Sequence, residues 1–167
     1  MLLHLFVLLL SLEGILSTEV SVQWAGNSSE PDAVRARQQE IIEVTKKLLT
    51  AITTADYDSY KEMSDPGLTS FEPESLGVLV RSMEFHRFLL ENARALGLRH
   101  TIMIDPYVHM MGDDAACIAY VRLTQALGSD LAAIHTKVEE TRIWHRRNGT
   151  WRHIHFHRSR PITLHSK

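Results

Sequence analysis

Cysteine is almost missing: Cys117 is the single one in 167 residues. That excludes an internal disulfide and any zinc cluster built from cysteines. Its neighbours Ala116, Ile118 and Ala119 mark it as a core thiol rather than a nucleophile. Neither charge sign dominates, since the formal net charge is -2. With no basic stripe either, a nucleic-acid partner is excluded from the reading. No apolar run reaches the roughly 20 residues of a membrane-spanning helix. The longest lies within residues 2–12, and Glu13 and Gly14 follow it. A run of that length fits a signal-peptide core. Its start carries only His4 and no Lys or Arg, and Ile15 stands three residues before the best cleavage point, after Ser17. A cleaved signal, a retained anchor and a non-targeting start all stay open for 1–17, the first two pointing the chain to the secretory route or to a membrane.

The remainder divides into a polar linker at 18–30, one domain at 31–160 and a short tail at 161–167. Asn27 and Asn148 head acceptor patterns for N-glycosylation, Asn27-Ser28-Ser29 and Asn148-Gly149-Thr150. The second also reads as turn chemistry, because both central residues of a type I′ hairpin need positive φ. Trp144 and Trp151 flank this turn and are expected to pair across it. On the outgoing strand Trp151, His153, His155 and His157 alternate with Arg152, Ile154, Phe156 and Arg158. A helix is expected from about Ser29 to Thr53, with Ile41, Val44, Leu48 and Ile52 in its apolar stripe. A short helix follows at 55–63, then a brief strand at 68–71. A third helix is expected from Leu76 to Leu96, capped by Gly97. From Thr101 the period changes to two, predicting strands at 101–105, 107–111, 116–125, 137–146 and 151–158. In the third of these, Ile118, Tyr120, Arg122 and Thr124 share a face. Helices followed by consecutive antiparallel strands give an α+β domain, a long helix held in a strongly curved sheet. One helix cannot cover two apolar sheet faces, so the remaining face is a candidate subunit contact.

Several blocks carry a resemblance. Asp65-Pro66-Gly67-Leu68-Thr69-Ser70-Phe71-Glu72-Pro73-Glu74, Met83-Glu84-Phe85-His86-Arg87-Phe88, Ala116-Cys117-Ile118-Ala119-Tyr120, Glu139-Glu140-Thr141-Arg142-Ile143-Trp144-His145-Arg146-Arg147 and His155-Phe156-His157-Arg158 occur in this order. Together with Ile41-Ile42-Glu43-Val44-Thr45 they resemble the association (hub) domain of calcium/calmodulin-dependent protein kinase II. The resemblance implies a cone-shaped fold like nuclear transport factor 2. It also implies self-assembly into two stacked rings of about twelve to fourteen subunits, with kinase II subunits as partners. It further implies a pocket lined by Arg122, Arg142 and Arg158, with Tyr120 and Trp144 on the same strand faces, Glu140 between the arginines and His86 near the mouth. Guanidinium groups gathered there favour a small carboxylate or an acidic peptide. Arg94 stands where vertebrate members carry a tryptophan. The sequence holds no glycine-rich loop, strand lysine motif or catalytic loop of a kinase. An apolar amino terminus ahead of a hub resembles the layout of the kinase-anchoring protein of muscle membranes. Meeting a kinase would then require the hub to face the cytosol.

The expected function is therefore an oligomerisation scaffold, not an enzyme, with no cofactor. The alternative is a small-molecule binding protein or an isomerase or dehydratase, for which Glu140 and His86 are the available acid–base groups. Glu140 between arginines reads better as an inert, ionised carboxylate. The arginines also have a purely structural reading, as ion pairs with Glu139, Glu140 or Asp58. Same-face strand residues sit about 6.6–6.8 Å apart, so at most two of His153, His155 and His157 converge on a metal, and no metal is expected.

Overall fold

The computed structural model describes residues 20–23, 31–93, 99–128 and 132–165. The apolar run at 2–12, Asn27, Arg94 and the Gly97 cap lie outside them. Among the described residues, no helix is long and apolar enough to cross a membrane.

Helix α1 runs over Asp32–Thr53, with Pro31 as its N-cap and Asp32 in its first turn, where the fixed φ of proline and a negative charge both suit a helix start. Its buried stripe is Ile41, Ile42, Thr45, Leu48 and Leu49. Burial of each such Leu or Ile contributes about 1.5–3 kcal/mol. The stripe packs with Met103, Ala116, Ile118, Trp144 and Phe156 of the sheet in one core. A polar peg locks the rotation of the helix. Trp144 Nε1 donates to Thr45 Oγ1 at 3.0 Å, and that hydroxyl donates onward to Ile41 O at 2.7 Å. Helix α2 spans Tyr57–Glu62, capped by Asp56, whose carboxylate accepts from the Ser59 amide.

A single curved, unclosed sheet runs in the order β1-β3-β4-β5-β6-β2, with β7 pairing β5. Its strands are β1 (Val20–Gln23), β2 (Ser64–Phe71), β3 (Arg99–Met110), β4 (Ala115–Leu127), β5 (Ala133–Arg147), β6 (Thr150–Arg158) and β7 (Ile162–His165). The α+β class and the helix-in-sheet layout agree with the sequence reading, and Asn148 and Gly149 both take positive φ at the β5–β6 turn.

Other expectations give way. Residues 20–23, expected in a linker, form a strand paired parallel with β3, and Val20 is buried. The tail is a strand as well, since Ile162–His165 continues the edge of β5. The 101–105 and 107–111 segments are one strand, β3, with a bulge where Asp105 takes positive φ before Pro106. Helix α3 is Met83–Ala93 and does not begin at Leu76. Leu76 and Gly77 both have positive φ, and Val80 bridges to Ser70 of β2 instead. Cys117 is half-buried on the outer face of β4, not in the core.

The register of the hairpin matters most for the site. Trp144 pairs with His153, and Trp151 pairs with Arg146, so the two tryptophans are not opposite each other. Beyond His153 a bulge intervenes, and Ile143 pairs with His155. The extra residue switches the parity of the strand. Trp151 and His153 face inward before the bulge, and Phe156 faces inward after it. The three histidines expected on one face are therefore split: His153 is inside, while His157 is exposed on the other side.

Candidate functional site

Strand parity on β4 and β5 sends Arg122, Glu140 and Arg142 to the face that α1 covers. The bulge in β6 then places Phe156 opposite Arg142, and Arg158 opposite Glu140. An unbroken alternation would have put His155 and His157 there. Helices α2 and α3 close the other side with Tyr60 and His86. Together these elements enclose a cavity of about 690 Å³ whose wall includes Ile52, Leu90, Val138 and Phe156, all apolar.

At its floor lies a buried charge network. Arg142 is 1% exposed and Glu140 2%. Arg142 Nη2 donates to Glu140 Oε2 at 2.9 Å, and Arg142 Nε donates to the Tyr120 hydroxyl at 2.8 Å. Tyr120 in turn donates to Glu140 Oε2 at 2.5 Å. The Arg142 guanidinium stacks on the Phe156 ring, 4.5 Å from its centre. Arg122 Nη2 lies 3.0 Å from Glu140 Oε1, a charge contact without hydrogen-bond alignment, because Oε1 receives no hydrogen bond. Burial alone would raise the Glu140 pKa, but Arg122 and Arg142 hold it down at about 2. Burial also works against the Arg142 charge, yet Tyr120 and Glu140 keep its pKa raised. Donors remain: Arg142 Nη1 and Arg122 Nε are buried and find no partner. Unmet buried donors of this kind cost free energy until something accepts from them.

A second cluster sits beside the first. His86 Nε2 lies 3.0 Å from Glu72 Oε1, and Ser70 Oγ donates to the same oxygen at 2.9 Å. Arg158 Nη2 bridges Glu72 at 3.1 Å and Glu74 at 2.6 Å. Burial would raise the Glu72 pKa; the hydrogen bond and charge of His86, Ser70 and Arg158 lower it below the usual value. His86 is buried against Tyr60 and Phe156, deeper than the mouth position expected for it. Trp144 and Tyr120 support the floor from beneath and are not in the cavity wall. Of the three metal candidates, His153 Nε2 meets Ser64 Oγ at 2.6 Å and His155 Nδ1 meets Thr69 Oγ1 at 2.7 Å. Burial and the Arg142 charge push the His153 pKa well down, so it is a neutral core residue. Among the described residues no three His, Cys, Asp or Glu side chains converge on a metal position.

Sequence reasoning missed four participants. Glu72 and Glu74, not Glu139, Glu140 or Asp58, pair with Arg158, and both lie in the block Phe71-Glu72-Pro73-Glu74 that carries part of the resemblance. Tyr60 was visible only as part of a short helix. Arg99 also reaches the wall, and no sequence signal marked it.

The comparisons with known proteins agree with this fold. The calcium/calmodulin dependent protein kinase II association domain matches residues 37–161. The delta subunit of that kinase from Oryctolagus cuniculus is 49% identical over 146 residues, covering 86% of this chain and 27% of the subunit. The chain thus spans about a quarter of the length of that relative. Among solved structures, the association domain of C. elegans CaMKII superposes with a TM-score of 0.73 at 41% identity, over 78% of this chain and all of that one. A nuclear transport factor 2-like protein from Salmonella enterica shares the fold at 23% identity and a TM-score of 0.64, over 77% of this chain and 94% of that one.

Proposed function

The chain belongs to the calcium/calmodulin-dependent protein kinase II association-domain family, and from that premise we propose that it is an oligomerisation scaffold. The observation that carries the reading is the span of the match: residues 37–161 include α1 from Arg37 onward, every strand of the sheet from β2 to β6, and the whole cavity. The surface supports it. The outer face of β4 presents Cys117, Ala119, Val121 and Leu123, only half-buried. Phe71 and Tyr107 are exposed at 37% and 56%. Exposed apolar side chains of this kind on a sheet face are normally covered by another subunit. Two stacked rings of about twelve to fourteen copies, joined by related kinase subunits, form the proposed assembly. Native mass tests it, on the full chain and on residues 18–167, which keep β1. A stable monomer would refute the scaffold.

The cavity carries a second role in the same reading. Two unmet buried guanidinium donors beneath an apolar wall suit the carboxylate of a small organic acid. Catalysis is disfavoured, because Glu140 and Glu72 both have lowered pKa values and stay ionised at neutral pH. A general base is most effective with a pKa near the working pH. Titration with hexanoate, in the wild type and in Arg122→Gln, measures this role. Loss of binding in the variant supports it, and unchanged affinity removes Arg122 from the contact.

A further inference from the structure

We propose that the cavity takes a dianion, a linear dicarboxylate with an apolar spacer, whose second acid group is met by Arg99. The proposal rests on the carboxylate reading above and extends it to the ligand's far end.

The strand pairing lays the cavity out as a ladder. Glu140 pairs with Tyr120 at the floor, and Val138 pairs with Arg122 one step above. The next inward step is Thr124 with Thr136, and Thr101 of β3. Ala126 and Ile134 follow, and Ala126 pairs with Arg99. Arg99 shares the inward parity of Thr101 and Met103, both buried. The rungs of Arg122 and Arg99 are four residues apart, about 13 Å along the strand between backbone positions. The space between them is walled by threonines and aliphatic side chains, so it accepts methylene groups and offers no third charge.

Arg99 differs from the other arginines of the cavity in its partners. Arg122 and Arg142 share Glu140, and Arg158 has Glu72 and Glu74. Arg99 has no carboxylate partner among the described residues; its Nη2 reaches only the Ala93 carbonyl, at 3.3 Å. It is half-buried, and burial followed by the nearby Arg122 charge lowers its pKa. Arg99 is thus the one arginine of the cavity wall without a carboxylate partner among the described residues. A monoanion at the floor binds Arg122 and Arg142 and leaves Arg99, which the Arg122 charge repels, with no anion of its own. A second carboxylate at the upper rung removes that repulsion and accepts from the guanidinium.

The test pairs two acids of equal length, hexanoate and adipate, titrated into the full chain by calorimetry at one ionic strength. The expected result is that adipate binds about tenfold more tightly, the order of one charge-assisted contact. In Arg99→Ala that preference, read as the ratio of the two affinities, should disappear. Equal affinities in the wild type, or a preference that survives in Arg99→Ala, would overturn the dianion and leave the carboxylate pocket standing. Failure of both acids to bind would overturn the pocket, and the dianion with it.

Discussion

Replacing Glu140 by Gln removes the negative charge that buried Arg142 and partly buried Arg122 share. The consequence can be worked from the structure. The Glu140 carboxylate has a pKa of about 2 in the folded chain against an ordinary value of 4.5. At about 1.4 kcal/mol per pH unit, that difference is worth about 3 kcal/mol. Mutational experience with buried pairs gives a similar figure, about 3–5 kcal/mol for removing one partner and stranding the other. The sign follows from the direction of the shift. A depressed carboxylate pKa stabilises the fold fully above 4.5, and the contribution fades as pH falls from there towards 2. Glu140→Gln should therefore unfold about 6–12 °C below the wild type at pH 7. The gap should narrow steadily between pH 4.5 and pH 2. Thermal and urea unfolding at fixed protein concentration would measure it, since association also contributes to apparent stability. A variant as stable as the wild type at pH 7 would refute the reasoning. So would a gap at pH 3 no smaller than that at pH 7.

Other consequences are smaller or more local. Trp144→Phe should cost about 1–3 kcal/mol, because it leaves Thr45 without its indole donor in the core, and Trp144→Ala about 3–5 kcal/mol; urea unfolding checks both. Gly149→Ala, at φ +77 with open space around it, should lose about 1 kcal/mol to backbone strain alone, read by the same transition. Deleting the chain through Gln23 should strip the parallel partner of Thr101–Ile104. Faster amide hydrogen exchange confined to β3 would be the signature, and unchanged protection would mean that β1 contributes nothing to that edge.

The long helix and the hairpin were legible because their signals are local. The stripe of Ile41, Leu48 and Leu49 repeats at helical spacing, and Asn148-Gly149 specifies its own turn. What escaped depends on partners distant in the chain. Val20–Gln23 is too short to show a pattern, and it becomes a strand only by pairing with residues some eighty positions away. Ile162–His165 is defined by the edge of β5 in the same way. The bulge after His153 has no sequence marker, yet it determines which side chains of β6 enter the cavity. An unbroken register from the turn would set His155 opposite Arg142, whereas the folded strand puts Phe156 there. Alternation put Arg122 on the face of Tyr120 and Arg142 on that of Trp144, and the resemblance implied that these faces line a pocket. The partners of Arg158, and the presence of Arg99, needed the fold. The early helix start at Leu76 went wrong at Gly77; Ser82, whose hydroxyl accepts from the Glu84 amide, marked the true beginning.

Native mass spectrometry of residues 18–167, backed by light scattering on the full chain, tests the scaffold most directly. The account predicts a closed particle of about twelve to fourteen copies. A monomer that persists at micromolar concentration would contradict it, and the half-buried outer face of β4 would then need another explanation.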